Sequence, residues 1–258
     1  RLSLVGSEMC IRDRDGTGGL FGTVTQDMSV KNLLICQPVV RTKASAGALI
    51  GAVTPGTDSR GTTNLATVKI KNVQIEYPQV QAEQTGASAG ALVGTFEGVT
   101  LTVQDALVEN HFRDKLGSST EKAADLKLEE ESKYRIRALK GTAGSLIGTA
   151  KGEISLTDSA AALYVEGMYA GGLVGTVEKA STAAAASGPT VQIQSCYVGG
   201  HTANKKFDTS QKPGNGANAN AAFENLTGRY NVAAYTGGFA GGLAAQLPAD
   251  SQIANTYV

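Results

Sequence analysis

The chain has 258 residues, of which 41% are hydrophobic, and its 23 basic and 23 acidic side chains give a formal net charge of zero. This balance provides no electrostatic basis for binding nucleic acid or an anionic membrane, since both require a basic surface. The sequence has no run of 18 or more apolar residues, so we predict no membrane-spanning helix.

The first 14 residues, RLSLVGSEMCIRDR, differ from the Ala-, Gly-, Thr- and Val-rich remainder. They lack an initiator Met and a complete secretion signal, which needs an apolar run and a small-residue cleavage site after its basic start. Residues 4–14 instead resemble the translation of a widely used sequencing-library adaptor. We therefore expect residues 1–14 to be an artefact, and the natural sequence, a fragment of a longer protein, to start near Asp15.

A short phrase recurs along residues 15–258, with the pattern small–Gly–small–Leu–aliphatic–Gly–small. The marker leucines Leu146 and Leu173 are 27 residues apart, which is the shortest separation, and the longer separations contain insertions. In the last copy Ala245 replaces the second glycine. The copies are TGGLFGTV at 17–24, AGALIGAV at 46–53, AGALVGTF at 89–96, AGSLIGTA at 143–150, AGGLVGTV at 170–177 and AGGLAAQL at 240–247.

A second phrase follows each copy of the first, with aliphatic residues at both ends and a short polar residue between them. The fourth copy is looser and reads ISLTDSAAALYV at 154–165. The polar position is held by Asn32, Asn72, Asp105, Ser195 and Asn255. The other copies are VKNLLI at 30–35, IKNVQI at 70–75, VQDALV at 103–108, IQSCYV at 193–198 and IANTYV at 253–258.

Both phrases are short, β-branched and bounded by glycine, which is typical of strands of about five or six residues and not of helices. Two or three such strands per repeat predict an all-β solenoid in which equivalent residues stack in columns. We expect the marker leucines to lie inside, the second glycine to occupy a tight turn or a positive φ, and the polar position to cap a turn as a ladder. A β-propeller needs about 40–45 residues per blade, which exceeds the shortest repeat here.

The two phrases together resemble the GLUG motif of bacterial surface proteins. AGGLVGTV at 170–177 followed by IQSCYVGG at 193–200 is the copy most similar to that motif, and the resemblance covers most of residues 17–258. It implies a right-handed parallel β-helix of about six coils on a bacterial cell surface, within an adhesin-like protein. Some members of the family precede zinc peptidase domains that cleave immunoglobulin A.

Two long insertions interrupt the repeats, at about 111–140 and 201–236. The segment at 119–139 has Glu/Lys spacings that favour a solvated helix, whereas the segment at 201–235 is polar and rich in Gly, Asn and Ala. Long loops are often functional, so contacts with a host protein or glycan are expected through these insertions. A tolerated surface insertion is the simpler interpretation of each.

Candidate catalytic and metal-binding groups are few. Cys36 and Cys196 occupy different positions and lie too far apart along the stack for a disulfide, so we expect unreactive thiols, with Cys196 facing inward. His111 and His201 are the only histidines, and a zinc site needs three or four ligands. The Gly-rich segment at 16–22 lacks the strand, helix and Gly-Lys-Ser/Thr ending of a phosphate-binding loop. We therefore predict no catalytic, cofactor-binding or metal-binding residue.

A polysaccharide-degrading β-helix would need clustered carboxylates, and those of Glu129, Glu130 and Glu131 lie together in an insertion. Aromatic residues make up 5% of the chain and Trp is absent, which leaves little for sugar stacking. We expect a non-catalytic, extracellular or cell-surface protein that displays or binds. The alternatives are the accessory region of a larger zinc metallopeptidase and a polysaccharide-degrading enzyme.

Overall fold

The computed structural model describes residues 2–4, 10–109, 134–179, 190–199 and 231–258. Within these ranges it contains 22 β-strands and no α-helix, so the all-β prediction is confirmed. In this part of the chain, no helix is long and apolar enough to cross a membrane.

The first sheet has 13 strands, every one of which pairs in parallel with its neighbours. They are β1 (Leu2–Leu4), β3 (Phe21–Val24), β4 (Met28–Cys36), β7 (Ile50–Val53), β10 (Thr67–Glu76), β12 (Val93–Glu109), β14 (Ile147–Thr157), β15 (Ala160–Ala162), β17 (Val174–Glu178), β18 (Val191–Gln194), β19 (Tyr197–Val198), β21 (Ala244–Gln246) and β22 (Gln252–Ala254).

The second sheet has seven strands, also paired in parallel. A separate two-stranded antiparallel pair is formed by β8 (Gly56–Thr57) and β9 (Thr63–Asn64). The strands of the second sheet are β2 (Cys10–Arg14), β5 (Val39–Thr42), β6 (Ala46–Gly47), β11 (Gln79–Gly90), β13 (Arg135–Gly144), β16 (Tyr164–Gly171) and β20 (Asn231–Gly241).

Equivalent positions of the repeats pair with one another, as the two phrases predict. The first phrase is in register from Ile50 to Val93, Ile147 and Val174, and the second from Val30 to Ile70 and Val103. Some strands are longer than the expected five or six residues, and β12, with 17 residues, joins the end of one phrase to the whole of the next across a β-bulge between Glu97 and Thr100.

The marker leucines form a buried column, as predicted. Leu49, Leu92, Leu146 and Leu173 are fully buried, and Leu20 and Leu243 at the two ends of the column are partly buried. The aliphatic residues of the second phrase line the same core, since Ile70, Val103 and Ile193 are also fully buried. A residue inside therefore meets a residue of similar size above and below it.

The second glycine of the first phrase is needed for close approach between neighbouring strands and not for a positive φ, so that part of the prediction is wrong. None of these glycines has a positive φ. A Cβ at Gly51 would lie 2.6 Å from the carbonyl oxygen of Gly22, and a Cβ at Gly94 would lie 2.5 Å from that of Gly51. A Cβ at Gly148 would lie 2.4 Å from the oxygen of Gly94, so each glycine accommodates the carbonyl of the preceding one.

The polar position of the second phrase adopts a left-handed backbone in every copy. Its members form a ladder, defined by Asn32, Asn72, Asp105, Asp158, Ser195 and Asn255, and their φ values lie between 48° and 57°. Asn and Asp tolerate this region better than other non-glycine residues because their short polar side chains bond locally. The amide nitrogen of Asn72 also donates to the side-chain oxygen of Asn32 at 2.7 Å.

The structure also corrects the boundaries and the conformation of the insertions. Residues 135–140 and 231–236, which we assigned to the insertions, belong to β13 and β20. The helix expected at 119–139 is replaced by a strand from Arg135, because Ile136 and Ala138 are buried and alternate with half-exposed arginines. The remainder of both insertions lies outside the described residues.

We predict that Gly94→Ala destabilises the fold by about 1–3 kcal/mol, because the added methyl would overlap a backbone carbonyl that cannot rotate away. Urea unfolding of dilute protein measures this change. Gly22→Ala is the matched control, since the nearest described atom to a Cβ at Gly22 is 3.8 Å away. An equal loss of stability in both variants would contradict the role assigned to the glycine column.

We predict that Asn72→Val destabilises the fold by about 1–2 kcal/mol, the usual cost of placing a branched side chain in the left-handed region. Asn72→Gly is expected to be nearly neutral, because an easier backbone conformation offsets the lost hydrogen bond to Asn32. Lys71→Val is the control, since Lys71 is exposed and lies on an ordinary strand backbone next to the ladder. Thermal unfolding measures the melting temperatures. Equal values for Asn72→Val, Asn72→Gly and Lys71→Val would be inconsistent with backbone strain at position 72.

Candidate binding surface

A cluster of charged and aromatic side chains crosses three neighbouring strands of the second sheet. Register places Arg137 of β13 beside Glu166 of β16, and Glu166 beside Ala233 of β20. Ile136 and Val165 point into the core, so the arginines and Glu166 alternate with them and lie on the outer face. We call Arg135, Arg137, Glu166 and Tyr235 the ionic network.

The carboxylate of Glu166 is the centre of the ionic network. Its two oxygens lie 3.1 Å from Nη1 of Arg135 and 3.1 Å from Nε of Arg137. Nε of Arg137 also donates to the phenolic oxygen of Tyr235 at 2.7 Å, and that hydroxyl donates to Glu166 at 3.4 Å. The guanidinium of Arg137 is 6.0 Å from the centre of the Tyr235 ring, within the range of a cation–π contact.

This arrangement is suited to binding. The three charged side chains are between 25% and 32% exposed, so a ligand can reach them while their contacts hold them in place. Two guanidinium groups and one carboxylate leave a formal charge of +1, and guanidinium donors match carboxylate, sulfate or sugar oxygens well. Acid–base hydrolysis of sugars needs a pair of carboxyl groups, and the ionic network contains only Glu166.

Two aromatic pairs stack between equivalent positions of neighbouring strands, as the aliphatic columns do. Tyr169 and Phe239 stack with ring centres 5.6 Å apart and planes 18° apart. Tyr197 and Tyr257 stack with centres 5.3 Å apart and planes 26° apart. Phe239 is 61% exposed and lies on β20, the strand that also contains Tyr235.

The candidate reactive groups are placed as follows. Cys196 is buried, as predicted, and burial raises the pKa of its thiol to about 11, while its Sγ donates to the carbonyl of Gln194 at 3.3 Å. Cys36 is half-buried, and burial together with the Glu76 carboxylate raises the pKa of its thiol. Both thiols therefore have little thiolate character at neutral pH. His111, His201 and Glu129–131 lie outside the described residues.

No group of three or more His, Cys, Asp or Glu side chains in the described ranges has the geometry to hold a metal ion. No family model matches the chain, and no curated protein and no solved structure matches it either.

Our reading of the sequence missed the ionic network and one member of the polar ladder. Asp158 occupies the ladder position of the fourth copy, between Asp105 and Ser195, although its surroundings depart from the second phrase. The alternation of Arg135 and Arg137 with Ile136 and Ala138 was a period-two signal that would have indicated a strand. The pairing of these arginines with Glu166 depends on the register between β13 and β16, which no pattern within one phrase reports.

Asp105 and Asp158 are successive members of the polar ladder and carry like charges. Desolvation, and then the charge of Asp105, raise the pKa of Asp158 above its ordinary value. A carboxyl group with a raised pKa in the folded state lowers stability as pH rises through that pKa. This part of the ladder is therefore less stable at neutral pH than at mildly acidic pH.

We predict that Asp158→Asn raises the melting temperature at pH 7, and that its advantage over the unsubstituted protein shrinks as pH falls through the raised pKa of Asp158 toward about 4, below which the carboxyl group is protonated in both states. The change of this difference with pH is the measurement, because asparagine also favours the left-handed backbone at any pH. Glu97→Gln removes the same charge at an exposed site beside Lys151 and is expected to give no gain at pH 7. A difference that is independent of pH would contradict the repulsion between Asp105 and Asp158.

Proposed function

We propose that this chain is a right-handed parallel β-helix of about six GLUG-like coils, within a bacterial adhesin-like protein that is secreted or held on the cell surface. Support for the helix comes from the continuous parallel pairing of equivalent phrases, in which each strand lies beside its counterpart in the next repeat. Crossover connections between parallel strands are right-handed in about 98% of cases, which supports the proposed hand.

The observation that carries the functional proposal is the contrast between inner and outer columns of the first sheet. The inner column that contains Ile70 holds only aliphatic residues in all its copies. The outer column beside it holds polar residues that differ in size, one of which is charged. From the N-terminal end it is Ser29, Lys69, Thr102, Ser155, Gln192 and Gln252.

A scaffold with a constant interior and a variable exterior is suited to display, because the outer side chains can change without disturbing the fold. No catalysis is proposed for this chain. Binding would use the ionic network and the insertions, toward a host protein or glycan. The guanidinium groups of Arg135 and Arg137 favour an acidic glycan or an acidic protein segment.

The positions of the insertions support this proposal. Where repeats lack an insertion, one or two residues join the strand of the first sheet to that of the second, namely Gln37–Pro38, 77–78 and Leu163. Both insertions replace this same connection, between Glu109 and Arg135 and between Val198 and Asn231. Only β16 lies between β13 and β20, so the strands that follow the two insertions are about 10 Å apart. Both insertions therefore join the sheet next to the ionic network.

The experiment that tests this proposal is long-read sequencing of the complete gene. We expect a reading frame that lacks residues 4–14, with a secretion signal upstream and a cell-wall or outer-membrane anchor downstream. A His-Glu-x-x-His motif downstream would instead make the chain an accessory region of a zinc metallopeptidase. A natural gene that keeps the first 14 residues and encodes no export signal would overturn both the adaptor interpretation and the surface assignment.

The binding surface is tested with purified protein on an array of acidic and neutral glycans and matrix proteins. We predict that Arg137→Gln reduces binding at least about tenfold, since charge-assisted hydrogen bonds contribute about 1.5–3 kcal/mol each. Lys69→Gln is the control, because it removes the same charge from the exposed outer column of the other sheet. Equal binding by both variants and the unsubstituted protein would exclude the ionic network as the binding surface.

A further inference from the structure

One outer row of the second sheet carries arginines on two strands that are separated by a third. Register places Arg41 of β5 beside Gln81 of β11, and Gln81 beside Arg137 of β13. Val40 and Val80, which precede the first two residues, are buried in the core, so the row lies on the outer face of the sheet. We call Arg41, Gln81 and Arg137 the guanidinium row.

Both guanidinium groups of the row retain donors for a ligand. The side chain of Arg41 is exposed and makes no hydrogen bond or ion pair with the described residues. Arg137 is 29% exposed and uses its Nε for Tyr235 and Glu166, whereas its two terminal nitrogens donate to no group in the described ranges. A guanidinium group in this state presents parallel N–H donors that match the two oxygens of a carboxylate.

The middle residue of the row offers an acceptor and no charge. Nε2 of Gln81 donates to Oε1 of Glu83 at 3.0 Å, which orients the amide. The amide oxygen of Gln81 has no hydrogen-bond partner among the described residues. A neutral acceptor of this kind suits a hydroxyl group, whereas the Glu83 carboxylate beside it opposes the approach of an anion.

The spacing of the two arginines follows from the strands that carry them. Because neighbouring strands are about 4.8 Å apart and β11 lies between β5 and β13, Arg41 and Arg137 are roughly 10 Å apart. A polysaccharide with a carboxylate on alternate sugars repeats its charge over a similar distance. A polymer with a carboxylate on every sugar would also place one over Gln81 and another against Glu166, one strand beyond Arg137.

We propose that the guanidinium row binds a linear polysaccharide that carries carboxylates on alternate sugars and runs across the strands. One acidic sugar binds Arg41 and the next acidic sugar binds Arg137. The neutral sugar between them donates a hydroxyl hydrogen bond to Oε1 of Gln81. This inference rests on the proposed binding function and deepens it, because it names the ligand class and adds Arg41, which is outside the ionic network.

A polysaccharide fits this surface better than an acidic segment of a protein. Extended peptides bind sheets at an exposed edge, where backbone groups are unpaired, and the row crosses the face of the sheet, where β11 pairs on both sides. Carboxylates on peptide side chains would also lose rotamer freedom when held at a fixed spacing. In a polysaccharide the sugar rings fix that spacing before binding, which lowers the entropic cost.

The test is isothermal titration of the full chain with three polymers of known charge spacing. Hyaluronan has a carboxylate on alternate sugars, polygalacturonate has one on every sugar, and polyglutamate represents an acidic protein segment. We expect hyaluronan to bind at least about tenfold more tightly than the other two, since only its spacing matches both arginines and avoids Glu166.

Variants of the two arginines test the row itself. Arg41→Gln and Arg137→Gln should each weaken hyaluronan binding at least about tenfold, and Arg41→Lys should weaken it less, because lysine keeps the charge and loses the planar fork. Arg60→Gln is the matched control, since it removes an exposed arginine from the turn between β8 and β9, and it should bind as the unsubstituted protein does. Arg41→Gln should retain the unsubstituted melting temperature, because Arg41 is exposed and makes no side-chain contact of this kind.

The outcomes separate this inference from the proposed function. A loss of hyaluronan binding in Arg137→Gln and not in Arg41→Gln would overturn the row and leave the ionic network as the binding surface. Equal or tighter binding of polygalacturonate or polyglutamate would overturn the ligand class and leave a binding function in place. Hyaluronan binding that neither arginine variant changes would overturn both the row and the ionic network.

Discussion

The contact on which this architecture depends is that of a glycine Cα with the carbonyl oxygen of the equivalent glycine in the preceding repeat. Parallel strands are about 4.8 Å apart, and a side chain at this corner would force them further from each other. Gly51, Gly94 and Gly148 have no side chain at this point, so the carbonyl oxygen of the preceding glycine in the column can occupy the space. Once the spacing is set there, every other column is held at the same distance, which lets Leu49 contact Leu92 and lets Tyr197 stack on Tyr257.

The polar ladder lies at a bend of the backbone in each repeat, and strand spacing alone does not produce this bend. Each repeat there needs one residue with a left-handed backbone, and glycine would supply it at the entropic cost of a more flexible unfolded chain. Asn, Asp and Ser tolerate the conformation and can also bond along the stack, as Asn72 does with Asn32. Successive ladder positions are close enough for this bond. For the same reason the negative charges of Asp105 and Asp158 repel each other.

Sequence reasoning predicted the repeats, the all-β class and the buried leucines, because each depends on a pattern within one phrase. It misjudged the second glycine, since close approach and a positive φ both demand glycine and a sequence does not distinguish them. It assigned Arg135 and Arg137 to a helix because the Glu/Lys spacings upstream obscured a short alternating segment. The ionic network could not be predicted from a local pattern, because Arg137 and Tyr235 are separated by 98 positions and one of the insertions.

The ionic network and the insertions occur in the same part of the stack for a physical reason. A short connection from the first sheet fixes where the next strand of the second sheet begins. The insertions replace this connection before β13 and β20, so these two strands lack that local restraint. Cross-strand contacts on the outer face then have to set how these strands align. Glu166 lies on β16 between them and contacts groups from both, so its carboxylate ties the two strands together. The ionic network thus links the two strands that follow the insertions.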